Sequence, residues 1–238
     1  MRKGVFELIG IIAAMDVEAR PILSRLKADS RRDVSGIAFV RGALEGREVV
    51  VARSGVGKVN AALCAQTMAL LYAPSLVINA GVAGALEETL HVGDAVIGTD
   101  VVQYDVDTSA LGDPPGLVST VEKIYFPCDQ AASQAIFDAA ALINVHTVRA
   151  RIASGDAFIA EEARKREILR QFRASACEME AGAIAQVCYA NGIPCAVIRA
   201  ISDECNEQSQ STYESCLTLA AQTAAEILFK YLSNVENL

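Results

Sequence analysis

Short apolar runs at Leu8–Ala13, Leu76–Ala80 and Cys195–Ile201, the last interrupted only by Arg199, read as strands of a parallel sheet. Strands covered on both faces lose the apolar–polar alternation of a half-exposed sheet. Between these runs lie helical patterns. Ile22, Leu23 and Leu26 share one face before Lys27, and Ala183, Ile184, Val187 and Cys188 share another. Residues 130–143, a charged stretch from Glu161 to Phe172 and a closing stretch from Ser211 to Leu232 read as further helices. Asn191-Gly192 supplies a left-handed stop, and Pro194 prevents the helix from resuming. Residues 37–44 and 48–54 predict a hairpin turning at Gly46, and 92–102 and 147–153 predict two more strands. Ser54-Gly55-Val56-Gly57-Lys58 is a glycine-rich turn into a helix that ends before Pro74. Residues 103–120 show neither period and read as a loop, either functional, at a subunit contact, or a plain surface excursion.

Strands alternating with helices predict an α/β fold: one domain over residues 1–238 with a mixed, largely parallel central sheet flanked by helices. Ligands of such sheets bind at the carboxyl ends of the strands. Met15 to Glu18, Gly81 to Gly84, Ser154 to Ile159 and Ser202-Asp203 lie at four predicted strand exits, so they are expected at one rim. Arg199 stands inside the last apolar run, where a full charge is costly unless an anion faces it. Glu178 and Glu180 at the entrance of the preceding helix, the arginine within the strand and Asp203 at its end point to one polar site.

Composition narrows the function. An apolar fraction of 52% and a charged fraction of 21% over 238 residues describe an ordinary globular domain. A net charge of −8 leaves no basic excess, which argues against nucleic acid or an anionic membrane as partner. Seven scattered cysteines without a Cys-x-x-Cys pair fit small buried hydrophobes in a reducing cytoplasm. Arg2 and Lys3 precede an apolar run, but Glu7 interrupts it and no small-residue cleavage pattern follows, so the start reads as a strand rather than a leader. No stretch is long enough to span a bilayer.

The two histidines, His91 and His146, fall away from the strand exits, and no Gly-x-Ser-x-Gly elbow is present. Neither His-Glu-x-x-His nor a paired-cysteine cluster occurs, and Ser54–Lys58 is too short for a Walker loop. No metal site is therefore expected. Carboxylates remain: Glu18, Glu180 and Asp203, with Asp156 or Glu178 as further candidates. Such a group suits cleavage of a glycosidic bond, where one acid protonates the leaving group, another activates water, and negative charge stabilises an oxocarbenium-like sugar. An acid at a helix start also serves as a cap or dipole partner, so both readings stand for Glu18, Glu180 and Asp156. Asp203 is the strongest candidate, because it closes a buried strand at the expected binding rim.

Six segments together carry a resemblance. They are Ile11–Glu18 (IIAAMDVE), Ser54–Lys58 (SGVGK), Ala80–Gly84 (AGVAG), Ser154–Ile159 (SGDAFI), Glu178–Ala181 (EMEA) and Arg199–Asp203 (RAISD). In this order, over nearly the whole chain, they resemble the 5′-methylthioadenosine/S-adenosylhomocysteine nucleosidase family of the nucleoside phosphorylase superfamily. The resemblance implies a nucleoside phosphorylase-like fold and a cytoplasmic homodimer acting in methionine salvage. It implies adenine nucleosides as substrates and hydrolysis of the bond between adenine and a 5′-thio-substituted ribose, without metal or organic cofactor. By position, Asp203 would protonate adenine N7, Glu18 would activate water, and Glu180 would hold the ribose hydroxyls. Phe158 would stack on adenine, the backbone of Ile159 would read its edge, and Met179 would pack on the sugar. Ser202 would support Asp203, and Arg199 would lie near the water. Val82 departs from the serine of some members, which removes a hydroxyl from the water site. Three alternatives stand beside this reading: a purine nucleoside phosphorylase, an aminodeoxyfutalosine hydrolase, and a non-catalytic nucleoside-binding protein.

Overall fold

The computed structural model describes residues 7–206 and 209–234. The basic start at Arg2 and Lys3 lies outside the described residues. The elements alternate through most of the chain. They are β1 (Ile9–Ala13), α1 (Asp16–Arg25), β2 (Lys27–Val34), β3 (Ile37–Leu44), β4 (Arg47–Arg53) and α2 (Lys58–Tyr72), then β5 (Leu76–Ala85), β6 (Ala95–Gln103), β7 (Tyr125–Pro127) and α3 (Gln130–Ala141). After them come β8 (Thr147–Ser154), α4 (Glu162–Phe172), β9 (Ala176–Glu178), α5 (Ala181–Asn191), β10 (Cys195–Asp203) and α6 (Ser209–Asn234).

All ten strands belong to one mixed sheet in the order β10-β6-β8-β9-β5-β1-β4-β3-β2, with β7 on β6. β10 also pairs with β5, so the sheet closes on itself at one end. Parallel pairings make two groups, β4-β1-β5-β10 and β6-β8-β9, and the antiparallel pairs β10–β6 and β5–β9 join them. β1, β5 and β10 are buried along their whole length, as their dominantly apolar runs require. The sheet carries helices on both sides: Ala220, Ala221, Ala224, Ala225 and Leu228 of α6 join one core cluster with β5 and β10, and Ala183, Ile184 and Cys188 of α5 join another with α2. Alanines let α6 lie close to the sheet. Among the described residues no helix is long and apolar enough to cross a membrane.

Three strands went unpredicted. β2, with the sequence KADSRRDV, is exposed almost throughout, and its main-chain pairing to β3 at the sheet edge holds it rather than side-chain burial. β7 and β9 have three residues each, too few to establish a period. The expected loop runs from 104 to 124, after Gln103 closes β6, with short 3₁₀ turns at Ser109–Leu111 and Ser119–Val121.

The closed end of the sheet changes why the marked residues meet. β8 and β9 run opposite to β5 and β10, so no single carboxyl rim collects all four exits. Closure brings the ends of β8 and β9 against the middle of β10, and the same residues still converge.

Candidate active site

Glu18 lies in the first turn of α1 and is buried. Its Oε2 accepts the amides of Ala14 and Met15 at 2.8 and 2.9 Å, and its Oε1 accepts the amide of Val82 at 2.9 Å. One carboxylate thus ties the exit of β1 to β5. Burial pushes its pKa up, and the charge of Arg199 and the three amides pull against that rise. Val82 contributes here through its main chain, which any residue could supply.

Arg199 is fully buried in β10. Its guanidinium pairs with Glu178, donates to the side-chain oxygen of Asn79, and stands 3.7 Å from Glu180. The expected anion facing the buried charge is therefore present, twice over. Arg199 sits behind the acids and does not line the cleft wall. Gly81 makes this approach possible, since a Cβ there would collide with Glu18 Oε1 and Arg199 Nη1.

Glu178 and Glu180, two residues apart, take different duties. Glu178 accepts from Arg199, from Ser154 Oγ and from the amides of Glu180 and Ala181 at 3.0 and 2.7 Å. It neutralises the arginine and caps the start of α5, and its lone pairs are used up in doing so. Glu180 lines the same cleft without taking that load, and its Oε1 accepts the amide of Gly57 at 2.9 Å. Gly57 has φ +97°, a backbone state that favours glycine. Burial first, and then the charge of Glu178, lift the Glu180 carboxyl to about 7.

Asp203 ends β10 and is buried. Ser202 Oγ donates to its Oδ2 at 3.0 Å and the amide of Cys205 donates to its Oδ1 at 3.0 Å. Asp156 is exposed and accepts the amide of Lys58 at 2.8 Å, so it caps α2 and stands apart from the buried acids. Both histidines are on the surface.

Glu18, Val82, Phe158, Met179, Glu180, Ser202 and Asp203 line one cleft that opens to solvent and encloses about 450 Å³ with its mouth included. An inner recess of about 250 Å³ continues from it past Phe158, Met179 and Asp203 to Ile159 and Cys205. One end of the cavity is carboxylate-rich and the other is mostly apolar, with Asp203 and the arginine-paired Glu178 at its wall, which suits a sugar joined to a flat heteroaromatic base. Tyr213 of α6 was missed. Its ring meets Phe158 edge-on at 5.5 Å, and its hydroxyl donates to Met15 Sδ at 3.2 Å. It stands in an ordinary helical pattern, without a motif to mark it. Asn79 was also missed, although a lone amide in the otherwise apolar run of β5 was a signal available in the sequence. Among the described residues no three His, Cys, Asp or Glu side chains stand close enough to share a metal ion.

A mixed α/β sheet with buried acids around one apolar cleft defines a small-molecule enzyme site, and similarity to known proteins narrows it. The Phosphorylase superfamily profile matches residues 8–233. A 5′-methylthioadenosine/S-adenosylhomocysteine nucleosidase of Halalkalibacterium halodurans is 38% identical over 92% of this chain and 95% of that protein. The nucleosidase of the same name from Neisseria meningitidis, solved with methylthio-immucillin-A, superposes with a TM-score of 0.92 at 32% identity, covering 96% of this chain and 99% of that one. A futalosine hydrolase of Helicobacter pylori superposes with a TM-score of 0.91 at 33% identity, covering 98% of each chain. The chain belongs to the phosphorylase superfamily and, within it, to the family of the 5′-methylthioadenosine/S-adenosylhomocysteine nucleosidases.

Proposed function

We propose that the protein hydrolyses the N-glycosidic bond of 5′-methylthioadenosine and S-adenosylhomocysteine, releasing adenine and the 5′-thio-substituted ribose. The observation that carries this reading is the convergence of Glu18, Glu180 and Asp203 on one cleft, with the nearby cation already neutralised. Glu18 accepts a proton from the attacking water. Its burial raises its basicity, and three amides fix its orientation. Glu180 receives the ribose hydroxyls, and in its ionised form it stabilises positive charge at C1′. Asp203, held by Ser202 and the amide of Cys205, delivers a proton to N7 so that adenine leaves neutral. Phe158 and Ile159 line the recess that takes the base, and Met179 packs beside the sugar. Water is preferred to phosphate because Arg199 is committed to Glu178 and three carboxylates surround it, leaving an incoming phosphate without a free cation.

The same reading carries a cytoplasmic homodimer acting in methionine salvage. Exposed apolar side chains at Val59, Leu63 and Leu70 on α2, with Leu111 in the long loop, supply a surface for a second copy. The likeness to futalosine hydrolase supports a second substrate reading, aminodeoxyfutalosine, which presents the same adenine and ribose. The deciding experiment incubates the protein with methylthioadenosine, S-adenosylhomocysteine, adenosine and aminodeoxyfutalosine, with and without phosphate, and identifies the sugar product. Free sugar in both conditions is the expected result. Sugar 1-phosphate overturns the choice of water.

A further inference from the structure

Two cysteines outside this chemistry meet at the floor of the inner recess. Cys177 is the middle residue of β9, held between β5 and β8 by the pairings Gly84↔Cys177 and Ala153↔Cys177. Cys205 lies two residues beyond the end of β10. Both side chains are buried, both line the recess beside Asp203, and their sulfurs stand 3.2 Å apart.

We propose that Cys177 and Cys205 form an oxidisable dithiol that a peroxide-class oxidant closes to a disulfide, and that closure disturbs the seating of Asp203. The second half rests on the reading of Asp203 as the proton donor to adenine. The Cys205 sulfur attacks one peroxide oxygen, the O–O bond breaks, and hydroxide leaves as water with the thiol proton. The resulting sulfenic acid is attacked by the Cys177 sulfur; the S–O bond breaks, the S–S bond forms, and a second water departs. Two thiols lose two electrons and one peroxide gains them. Cys205 is taken as the attacking sulfur because it lies beyond the end of β10, whereas Cys177 is held by strand pairing on both sides.

Closure requires the sulfurs to approach by about 1 Å, to the ~2.05 Å of a disulfide. Cys177 is fixed by strand pairing on both sides, so the movement falls on Cys205. Cys205 has φ +52°, an uncommon state for a residue with a Cβ, and its amide is the donor to Asp203 Oδ1. Pulling the thiol toward β9 draws that amide with it. In a reducing compartment the pair stays open, and an oxidant then acts as a reversible brake on the enzyme.

The test reduces the full-length protein, removes the reductant, treats it with hydrogen peroxide, alkylates remaining thiols and maps disulfides by mass spectrometry without reduction. The expected result is one linked peptide joining Cys177 to Cys205, with at least a tenfold loss of methylthioadenosine turnover that dithiothreitol restores. Cys177→Ala and Cys205→Ala, each measured against its own untreated rate, should keep their activity through the same treatment. Absence of the linked peptide, or a link between Cys188 and Cys195 in its place, overturns the dithiol. A linked peptide with unchanged turnover overturns the coupling to Asp203. The linked peptide is read whether or not the chain hydrolyses the nucleoside, so failure of the hydrolase reading shows separately.

Discussion

Replacing Glu178 with Gln separates the structural acid of the site from the others. The native carboxylate takes four donors: the Arg199 guanidinium, Ser154 Oγ and the amides of Glu180 and Ala181. Gln keeps the shape but has one oxygen, so its NH₂ group must face at least one of those donors. It also leaves Arg199, fully buried, with only the more distant Glu180 and Glu18 to balance its charge. Breaking a buried pair from one side typically costs ~3–5 kcal/mol. For a chain of this size each kcal/mol moves the melting temperature by about 2–4 °C, so a fall of roughly 6–20 °C is expected. Thermal unfolding and urea titration at fixed pH measure the loss. The double variant Glu178→Leu/Arg199→Met should be less damaged than the sum of the single changes, because the two remove a coupled pair. A loss below about 1 kcal/mol, or simple additivity, would refute the assignment of Glu178 as the charge partner of Arg199.

Three further outcomes concern the proposed chemistry. Asp203→Asn should lower adenine release by about 10²–10⁴-fold while calorimetry still detects binding of methylthioadenosine; near-native turnover would remove Asp203 as the acid. Glu18→Gln should reduce turnover on a similar scale, about 10²–10⁴-fold, and an unchanged rate in single-turnover experiments would exclude it as the base. Glu180 has a folded-state pKa of about 7 against an ordinary 4.5. Between those values the folded chain binds more protons than the unfolded one, so its contribution lowers stability as pH rises from about 4.5 to about 7. Over that window Glu180→Gln should flatten the fall seen in the native protein by urea titration at several pH values. The native kcat/KM should rise as Glu180 ionises near pH 7; a stability curve that is the same in both proteins would refute the raised pKa.

Much of this fold is legible in the chain because burial on both faces leaves a simple mark. β1, β5 and β10 are dominantly apolar runs, and each is a central strand. β2 left no such mark, since a polar edge strand is specified by a neighbour's free main chain and not by its own side chains. The acids were legible as a set. Their duties were not: Glu178, Glu180 and Asp156 all stand near helix starts, and only burial and partners separate the cap on Lys58 from the group aimed into the cleft. Tyr213 joined the site from α6, whose spacing shows a packed helix and nothing of what one edge of it touches.

By itself the amino-acid order determined the local elements, the family-like segments and the requirement that Arg199 find an anion. These depend on spacing and on the cost of burying charge, both of which are properties of the chain. Tertiary structure decided which anion Arg199 found, how far the Glu180 proton affinity rose, and that strands of opposite direction would share one site. Those outcomes are set by contacts across long separations: the Val82 amide reaches Glu18 over 64 residues and the Gly57 amide reaches Glu180 over 123. Desolvation and charge coupling exist only once such groups are brought within a few ångströms, and closing the sheet is what brings them there.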